Sequence, residues 1–217
     1  MHPALHKSVN VSNVVGLLSL ITLLFISSLT NAQTIPGTIA IDDGAKIWIE
    51  GTAGPVNFRC EAQEISGSGI INNTINPKAS VQDSGKVRIS VSLPVTSLDC
   101  GKDAMNADMY NALKAEQHPQ ISYKLLEATL TDGEPSNGWL NIYTQGVMEI
   151  AGVRDTTEIS IRGKVIGEQQ FRVTGDKKIH MDTYDIEPPS KMFGLIRASK
   201  KLRVLFDVTV TLQDKGQ

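Results

Sequence analysis

The sequence has few of the residues, and none of the motifs, that most enzyme mechanisms need. Histidine occurs four times in 217 residues, and beyond residue 32 only His118 and His180 remain. No Gly-x-Ser-x-Gly, His-Glu-x-x-His or glycine-rich phosphate-loop pattern is present. Two histidines and two cysteines do not supply the three or four ligands that zinc takes. The sequence therefore predicts a protein that is not an enzyme and that needs no metal ion or cofactor.

The chain also lacks an excess of charge and a long hydrophobic run. Its 21 basic and 23 acidic residues give a net charge of −2 with no basic stripe, which argues against a nucleic-acid partner. The apolar run at 14–26 is shorter than the roughly 20 residues that span a bilayer. This run follows Lys7 and precedes Thr30-Asn31-Ala32, which is similar to the cleavage site of a secretory signal. We therefore predict a signal peptide at 1–32, one domain at 33–217 and a periplasmic or secreted location.

Cysteine occurs only twice, as Cys60 and Cys100. An even number of cysteines in an exported protein favours a disulfide. A redox or metal-binding thiol pair is the alternative, but no Cys-x-x-Cys spacing supports it. We expect a disulfide that stabilises the fold by about 4 kcal/mol, because it closes a loop of about 40 residues.

Alternation of apolar and polar residues dominates the rest of the chain. It is strict in 87–93 and clear again in 202–212, and it is the pattern of a strand with one buried face. Eight or nine such strands must form a two-sheet sandwich or a barrel. Glycines and serines in 65–71 predict a bent or bulged edge strand, and the shift of the apolar phase at Leu125-Leu126 predicts a β-bulge.

Two segments depart from this alternation. In 103–117, Met105, Met109 and Leu113 recur every four residues, which predicts a short helix. Pro119 bars its continuation. Pro188-Pro189 opens a long irregular loop that extends to about residue 201.

Three blocks of sequence carry a family resemblance through their order and spacing. The first runs from Ser97 through His118-Pro119-Gln120-Ile121-Ser122-Tyr123, the second from Gly146 to Thr157 and the third from Tyr184 to Ile196. Together they resemble the YceI-like family of exported lipid- and polyisoprenoid-binding proteins. That family carries a helix and an aromatic-Pro-x-Ile-x-aromatic strand entry in the first block, and a Gly-x-Leu-x-Ile-x-Gly-Val-x-(Lys or Arg) hairpin in the second. In this chain His118 stands where the family has an aromatic residue.

The resemblance spans roughly 48–212 and implies an all-β fold. The expected architecture is an extended antiparallel lipocalin-like β-barrel of about eight strands, with one short helix and a long loop near one end. The barrel would hold a polyisoprenoid, an isoprenoid quinone or a fatty acyl lipid for transport, storage or sequestration. Two alternatives stay open: a structural or adhesive β-domain with a filled core, and an accessory protein that presents quinone to a membrane electron-transfer partner.

The candidate ligand-binding residues are apolar positions on the inward faces of the expected strands and helix. An ordinary packed core would use the same positions. The strand positions are Ile89, Val91, Leu93, Tyr123, Leu125, Met148, Ile159, Ile161, Val204, Phe206 and Val208. On the helix, Met105, Met109 and Leu113 would plug one end of the barrel.

A basic patch precedes the last strand. Lys191, Arg197, Lys200 and Lys201 are candidates for contact with a phosphate head group or an anionic membrane. A solvated loop with no partner is the alternative. The sequon that begins at Asn72 matters only if a eukaryotic secretory pathway makes the protein.

Overall fold

The computed structural model describes residues 35–73, 81, 86–131, 136–191 and 196–214. The expected signal peptide at 1–32 and Thr74 of the sequon lie outside the described residues. Within those ranges, no helix combines the length and the hydropathy that crossing a membrane requires.

The described ranges contain thirteen strands and one α-helix. The strands of the first half are β1 (Gly37–Ile41), β2 (Lys46–Ala53), β3 (Val56–Ala62), β4 (Ser66–Ile71), β5 (Val87–Pro94) and β6 (Leu98–Asp99). Helix α1 (Asp103–Ala112) follows. The remaining strands are β7 (Gln120–Leu130), β8 (Trp139–Ile150), β9 (Val153–Val165), β10 (Gln170–His180), β11 (Ser190–Lys191), β12 (Ile196–Arg197) and β13 (Lys201–Asp214).

Eight of the strands close into an antiparallel barrel, which confirms the predicted fold class. Their order is β1-β4-β5-β7-β8-β9-β10-β13, and β13 returns to pair with β1. The closure is consistent with the period-two pattern, since each strand buries one face and every strand of the ring pairs with two neighbours.

Strand β13 carries two successive partners along one edge. β1 pairs with residues 210–214 and β2 with residues 203–207. Asp42 lies between the two partners: its backbone N–H donates to the Thr209 carbonyl (2.9 Å), and its carboxylate accepts from the Thr211 hydroxyl (2.6 Å). Because β2 then pairs with β3, and β3 with β6, the sheet continues beyond the eight-strand ring at this end.

The barrel wall has a slot between β9 and β10. These strands pair only where Phe171–Gly175 lies against Ile161–Val165. Beyond Gly175, β10 remains paired with β13 but no longer pairs with β9. Residues 153–160 of β9 pair only with β8. The 3₁₀ turn Met181–Tyr184 contacts β9 beyond this slot.

The glycine-rich segment is not an edge strand, so that expectation was wrong. β4 lies between β1 and β5 and pairs with both. A Cβ at Gly69 would lie 2.5 Å from the carbonyl oxygen of Arg88, and one at Gly67 would overlap the Ile41 side chain. The glycines therefore allow the neighbouring strands to approach β4 closely inside the sheet.

The β-bulge and the single short helix are both confirmed, and the helix ends earlier than 117. The β7–β8 register shifts between Leu125 and Glu127. The helix stops at Ala112 because Lys114 adopts a left-handed backbone conformation (φ 54°). The Ala115 N–H then donates to the Tyr110 carbonyl (2.9 Å), which is part of a Schellman motif. Residues 113–117 form turns.

The predicted disulfide between Cys60 and Cys100 is present. It joins β3 to the residue that follows β6, and only 1% of Cys60 is exposed.

Candidate ligand-binding site

The interior of the barrel contains a cavity of about 540 Å³. Binding sites for small molecules occupy roughly 300–1,000 Å³ and are mostly apolar. Aliphatic side chains from all eight barrel strands form almost the entire wall of this one. Since side chains do not fill this space, the alternative of a barrel with a filled core does not describe the structure.

Strand alternation directs the lining side chains inward. On β5, Ile89, Val91 and Leu93 line the cavity, whereas Arg88 and Ser90, which flank Ile89, are exposed. The same period-two rule places the apolar set of every barrel strand inside.

Twelve of the fourteen candidate ligand-binding residues line this one cavity. The strand residues are Ile89, Val91, Leu93, Tyr123, Leu125, Met148, Ile159, Ile161, Val204, Phe206 and Val208, and they are joined by Leu113 just after α1. Met109 is not in the cavity wall; it packs against the buried cluster that contains Leu113, with its sulfur 3.8 Å from the sulfur of Cys100. Met105 is half-buried on α1 and does not line the cavity.

Several lining residues were not among the candidates, although most carry the same alternation signal. They include Ile39, Ile47, Ile49, Ile142, Val173 and Val210. Lys177 also lines the cavity, and alternation did not single it out because a lysine interrupts the apolar face of β10.

Tyr123 and Thr144 place a polar pair in the apolar wall. The Tyr123 hydroxyl donates to Thr144 Oγ1 (3.4 Å), and the Thr144 hydroxyl donates to the Ile159 carbonyl (2.8 Å). Burial raises the pKa of Tyr123, so its hydroxyl is protonated at neutral pH. A Cβ at Gly146 would lie 2.5 Å from the Tyr123 hydroxyl oxygen, so glycine is what allows the ring to cross this strand.

Buried aromatic and aliphatic side chains close the end of the barrel near the 3₁₀ turn. Tyr184 is 2% exposed and packs in one cluster with Met181 and Ile186. Burial, with a smaller contribution from the negative charge of Asp155, raises the pKa of Tyr184 to about 12. The Tyr184 hydroxyl therefore stays uncharged across the physiological pH range.

Two of the predicted head-group or membrane contacts form ion pairs at the surface. Arg197 contacts Glu187 at 2.8 Å, and Lys200 contacts Asp182 at 2.8 Å. Lys201 is exposed at the start of β13. The side chain of Lys191 lies outside the described residues.

Cross-strand pairing extends this basic surface onto β10. Lys178 pairs in register with Arg203, and His180 pairs with Lys201. Directly paired residues of antiparallel strands share one face of the sheet. These four side chains border a groove whose other lining residues are Glu50, Gly51, Thr52, Asn57, Phe58, Arg59 and Leu202.

Comparisons with known proteins agree with this architecture. The family model described as YceI-like domain matches residues 46–212. BcnA of Burkholderia cenocepacia superposes with a TM-score of 0.61 at 12% identity, covering 76% of this chain and 95% of that chain. A polyisoprenoid binding domain from Saccharophagus degradans, implicated in plant cell wall breakdown, gives 0.59 at 13% identity, covering 83% and 100%.

The YCEI protein of Campylobacter jejuni is a third similar structure, with a TM-score of 0.52 at 12% identity, covering 71% of this chain and 83% of that chain. No curated protein matches the sequence. At these identities, the structural similarities establish the fold alone.

Proposed function

The chain belongs to the YceI-like family, and from that premise we propose that it binds a long apolar molecule inside its barrel. The ligand class is a polyisoprenoid, an isoprenoid quinone or a fatty acyl lipid, held for transport, storage or sequestration. The observation that carries this proposal is the apolar cavity of about 540 Å³ within the closed ring of strands.

The binding mechanism is removal of a hydrocarbon chain from water. Each methylene buried in such a cavity gains about 0.8 kcal/mol. The wall is built on hydrogen-bonded strands, so little conformational freedom is lost when the ligand enters. The Tyr123–Thr144 pair offers one hydrogen-bonding point within the wall, and no step requires a catalytic group.

We propose that α1 with its following turns, and the 187–201 loop, control entry to the barrel. Leu113 lines the cavity just after α1, and Ile186 lines it just before the loop. Movement of either segment would therefore change the cavity wall directly. The Cys60–Cys100 disulfide supports the proposed export to the periplasm or the exterior, because disulfides persist in oxidising compartments.

Native mass spectrometry tests the proposed function. We expect protein purified without detergent from its host to carry one hydrophobic guest per chain, because an empty apolar cavity of this size favours occupancy. Lipid extraction then identifies the guest, and quinone absorbance would favour the quinone-presenting variant of the function. An unrelated exported protein of similar size, purified in parallel, controls for carry-over of lipid. Exhaustive extraction that yields no more lipid than the control would contradict the proposal.

We further propose that the basic groove faces an anionic membrane during loading or delivery. Lys178 and Lys201 have no carboxylate at ion-pair distance in the described part of the chain, whereas Arg203 contacts Asp176 at 3.0 Å. The hydrogen bond from Arg203 lowers the pKa of Asp176. The two unpaired ammonium groups are thus the ones available to lipid phosphates.

Charge reversal in this groove is expected to weaken membrane binding. Each basic residue near an anionic surface contributes about 1 kcal/mol, so Lys178→Glu with Lys201→Glu should reduce partitioning to phosphatidylglycerol vesicles by at least about thirtyfold at low salt. The matched control is Arg88→Glu with Lys124→Glu, which changes the net charge equally on exposed positions of β5 and β7. Vesicle co-sedimentation measures both variants. Equal binding by the groove variant and the wild type would exclude this contact.

A further inference from the structure

Lys177 is a lysine on the inward face of a barrel strand. On β10 the side chains of Val173, Lys177 and Ile179 line the cavity. Gly175 belongs to the same face, since a Cβ there would lie 2.6 Å from the ring of Phe206, another lining residue. Alternation therefore directs the aliphatic part of the Lys177 side chain toward the lumen, among the aliphatic residues that line the cavity.

The ammonium group of Lys177 lies at the slot between β9 and β10. It donates to the backbone carbonyl of Glu158 (2.8 Å), across the gap where the two strands no longer pair. The Glu158 carboxylate is directed elsewhere, to the Tyr143 hydroxyl, and that interaction raises the pKa of Tyr143. Among the described residues, no carboxylate lies at ion-pair distance from Lys177.

Lys177 is distinct from the other lysine in the cavity wall. The ammonium of Lys164 lies 6.0 Å from the ring centroid of Trp139. The guanidinium groups of Arg162 and Arg172 lie over the same ring. Arg162 and Arg172 are exposed, so that cluster lies on the outer surface of the barrel. Lys177 is therefore the cation that the described strands direct to the lumen.

From this placement we infer that Lys177 is the counter-charge for an anionic head group on the ligand. The ligand class is then a single-tailed anionic amphiphile, with its hydrocarbon chain in the lumen and a carboxylate or phosphate at the β9–β10 slot. This inference rests on the proposed function. A carbonyl oxygen satisfies one of the three ammonium donors, whereas an anionic oxygen would form a stronger, charge-assisted hydrogen bond.

Paired probes that differ only in charge test the inference. One pair is cis-parinaric acid and its methyl ester, and the other is farnesyl phosphate and farnesol; the two pairs distinguish carboxylate from phosphate. We expect wild-type protein to prefer the anionic member of at least one pair by about tenfold, the size of a typical charge-assisted hydrogen bond of about 1.4 kcal/mol. Fluorescence titration and competition measure the dissociation constants.

Two substitutions separate charge from hydrogen bonding at this position. Lys177→Gln keeps a donor for the Glu158 carbonyl but removes the charge, so the preference should disappear while affinity for the neutral probe stays constant. Lys177→Arg should retain the preference. Lys124→Gln, at an exposed position of β7 outside the lumen and the basic groove, is the matched control and should leave the ratio unchanged.

The ratio of affinities is a readout that a purely structural role for Lys177 would not move. Neutral and anionic probes that bind with equal affinity to wild-type protein, or an anionic preference that survives in Lys177→Gln, would overturn the inference while leaving the proposed function intact. Failure of the wild-type protein to bind any of the four probes would overturn the inference together with the proposed function.

Discussion

Replacing Cys60 and Cys100 together by alanine is expected to lower the free energy of unfolding by about 4 kcal/mol. The bond spans a sequence separation of 40 residues, and in the chain-entropy model a loop of this length restricts the unfolded chain by about that amount. Domains of this size are stable by only about 5–15 kcal/mol. The disulfide is therefore expected to supply a large share of the total stability.

Few backbone pairs join the two strands next to the disulfide. β3 and β6 share only two residue pairs, Glu61–Asp99 and Ala62–Leu98. The bond acts at the junction between β6 and α1, so its loss should loosen the extended sheet and the helix before the barrel ring.

Side-chain hydrogen bonds fix the backbone around Cys100 independently of the bond. The Cys100 N–H donates to Asn106 Oδ1 (2.7 Å), and the Asn106 amide donates to the Asp99 carboxylate (2.9 Å). The hydrogen bond from the Asn106 amide, together with a second one from the Gly101 N–H, lowers the pKa of Asp99. A junction with this local support should retain a native-like structure in the variant, so the expected loss is one of stability and not of fold.

Urea unfolding followed by tryptophan fluorescence measures this loss. Trp48 on β2 and Trp139 on β8 report on the extended sheet and the ring respectively. Wild-type protein reduced with dithiothreitol is the control, and it should lose a similar amount of stability. A loss below about 1 kcal/mol in both samples would show that the unfolded chain is restricted in some other way.

The inward faces of the strands could be predicted from sequence because their determinant is local, whereas alternation left a sandwich and a barrel open and the family resemblance implied the barrel. Alternation within each strand decides which side chains face inward, and on β5 it separates Ile89 and Val91 from Arg88 and Ser90 without any knowledge of the neighbouring strands. This is why most of the expected cavity residues do line one cavity.

Two features that depend on the three-dimensional surroundings of a residue could not be predicted. Glycines in β4 predicted an edge, since glycine weakens strands in general. Their actual role comes from the close approach of Ile41 and Arg88 on the two flanking strands. The helix end was also hidden, because Lys114 occupies a left-handed position at which glycine would have been a clear signal.

Lys177 shows the same limit at the candidate site. In isolation a lysine between Gly175 and Ile179 indicates an interruption of the strand. Only the separation of β9 from β10 gives the ammonium a place at the wall of the lumen. The sequence contains the residue, but the slot that gives it significance is a property of the closed barrel.

Tryptophan at both Val91 and Val173 is expected to reduce affinity for the neutral probes at least a hundredfold. Both valines line the cavity, and they lie on β5 and β10, which are four strands apart in the eight-strand ring. Two indole rings would therefore enter the lumen from opposite sides. Exclusion of three or four methylenes of the ligand costs about 3 kcal/mol, which corresponds to roughly a hundredfold in affinity.

This double substitution separates a cavity that binds ligand from a void that does not. Overpacking destabilises a filled core by about 1–3 kcal/mol, but here the rings enter empty space and should leave the free energy of unfolding nearly unchanged. Ser90→Trp with Lys178→Trp is the matched control, because it adds the same groups to exposed positions on the same two strands. Titration of cis-parinaric acid methyl ester and urea unfolding give the two readouts. A folded lumen variant that binds the ester as tightly as the wild type would place the ligand outside the barrel, since a chain inside the lumen would lose contact with the wall wherever an indole ring displaces it.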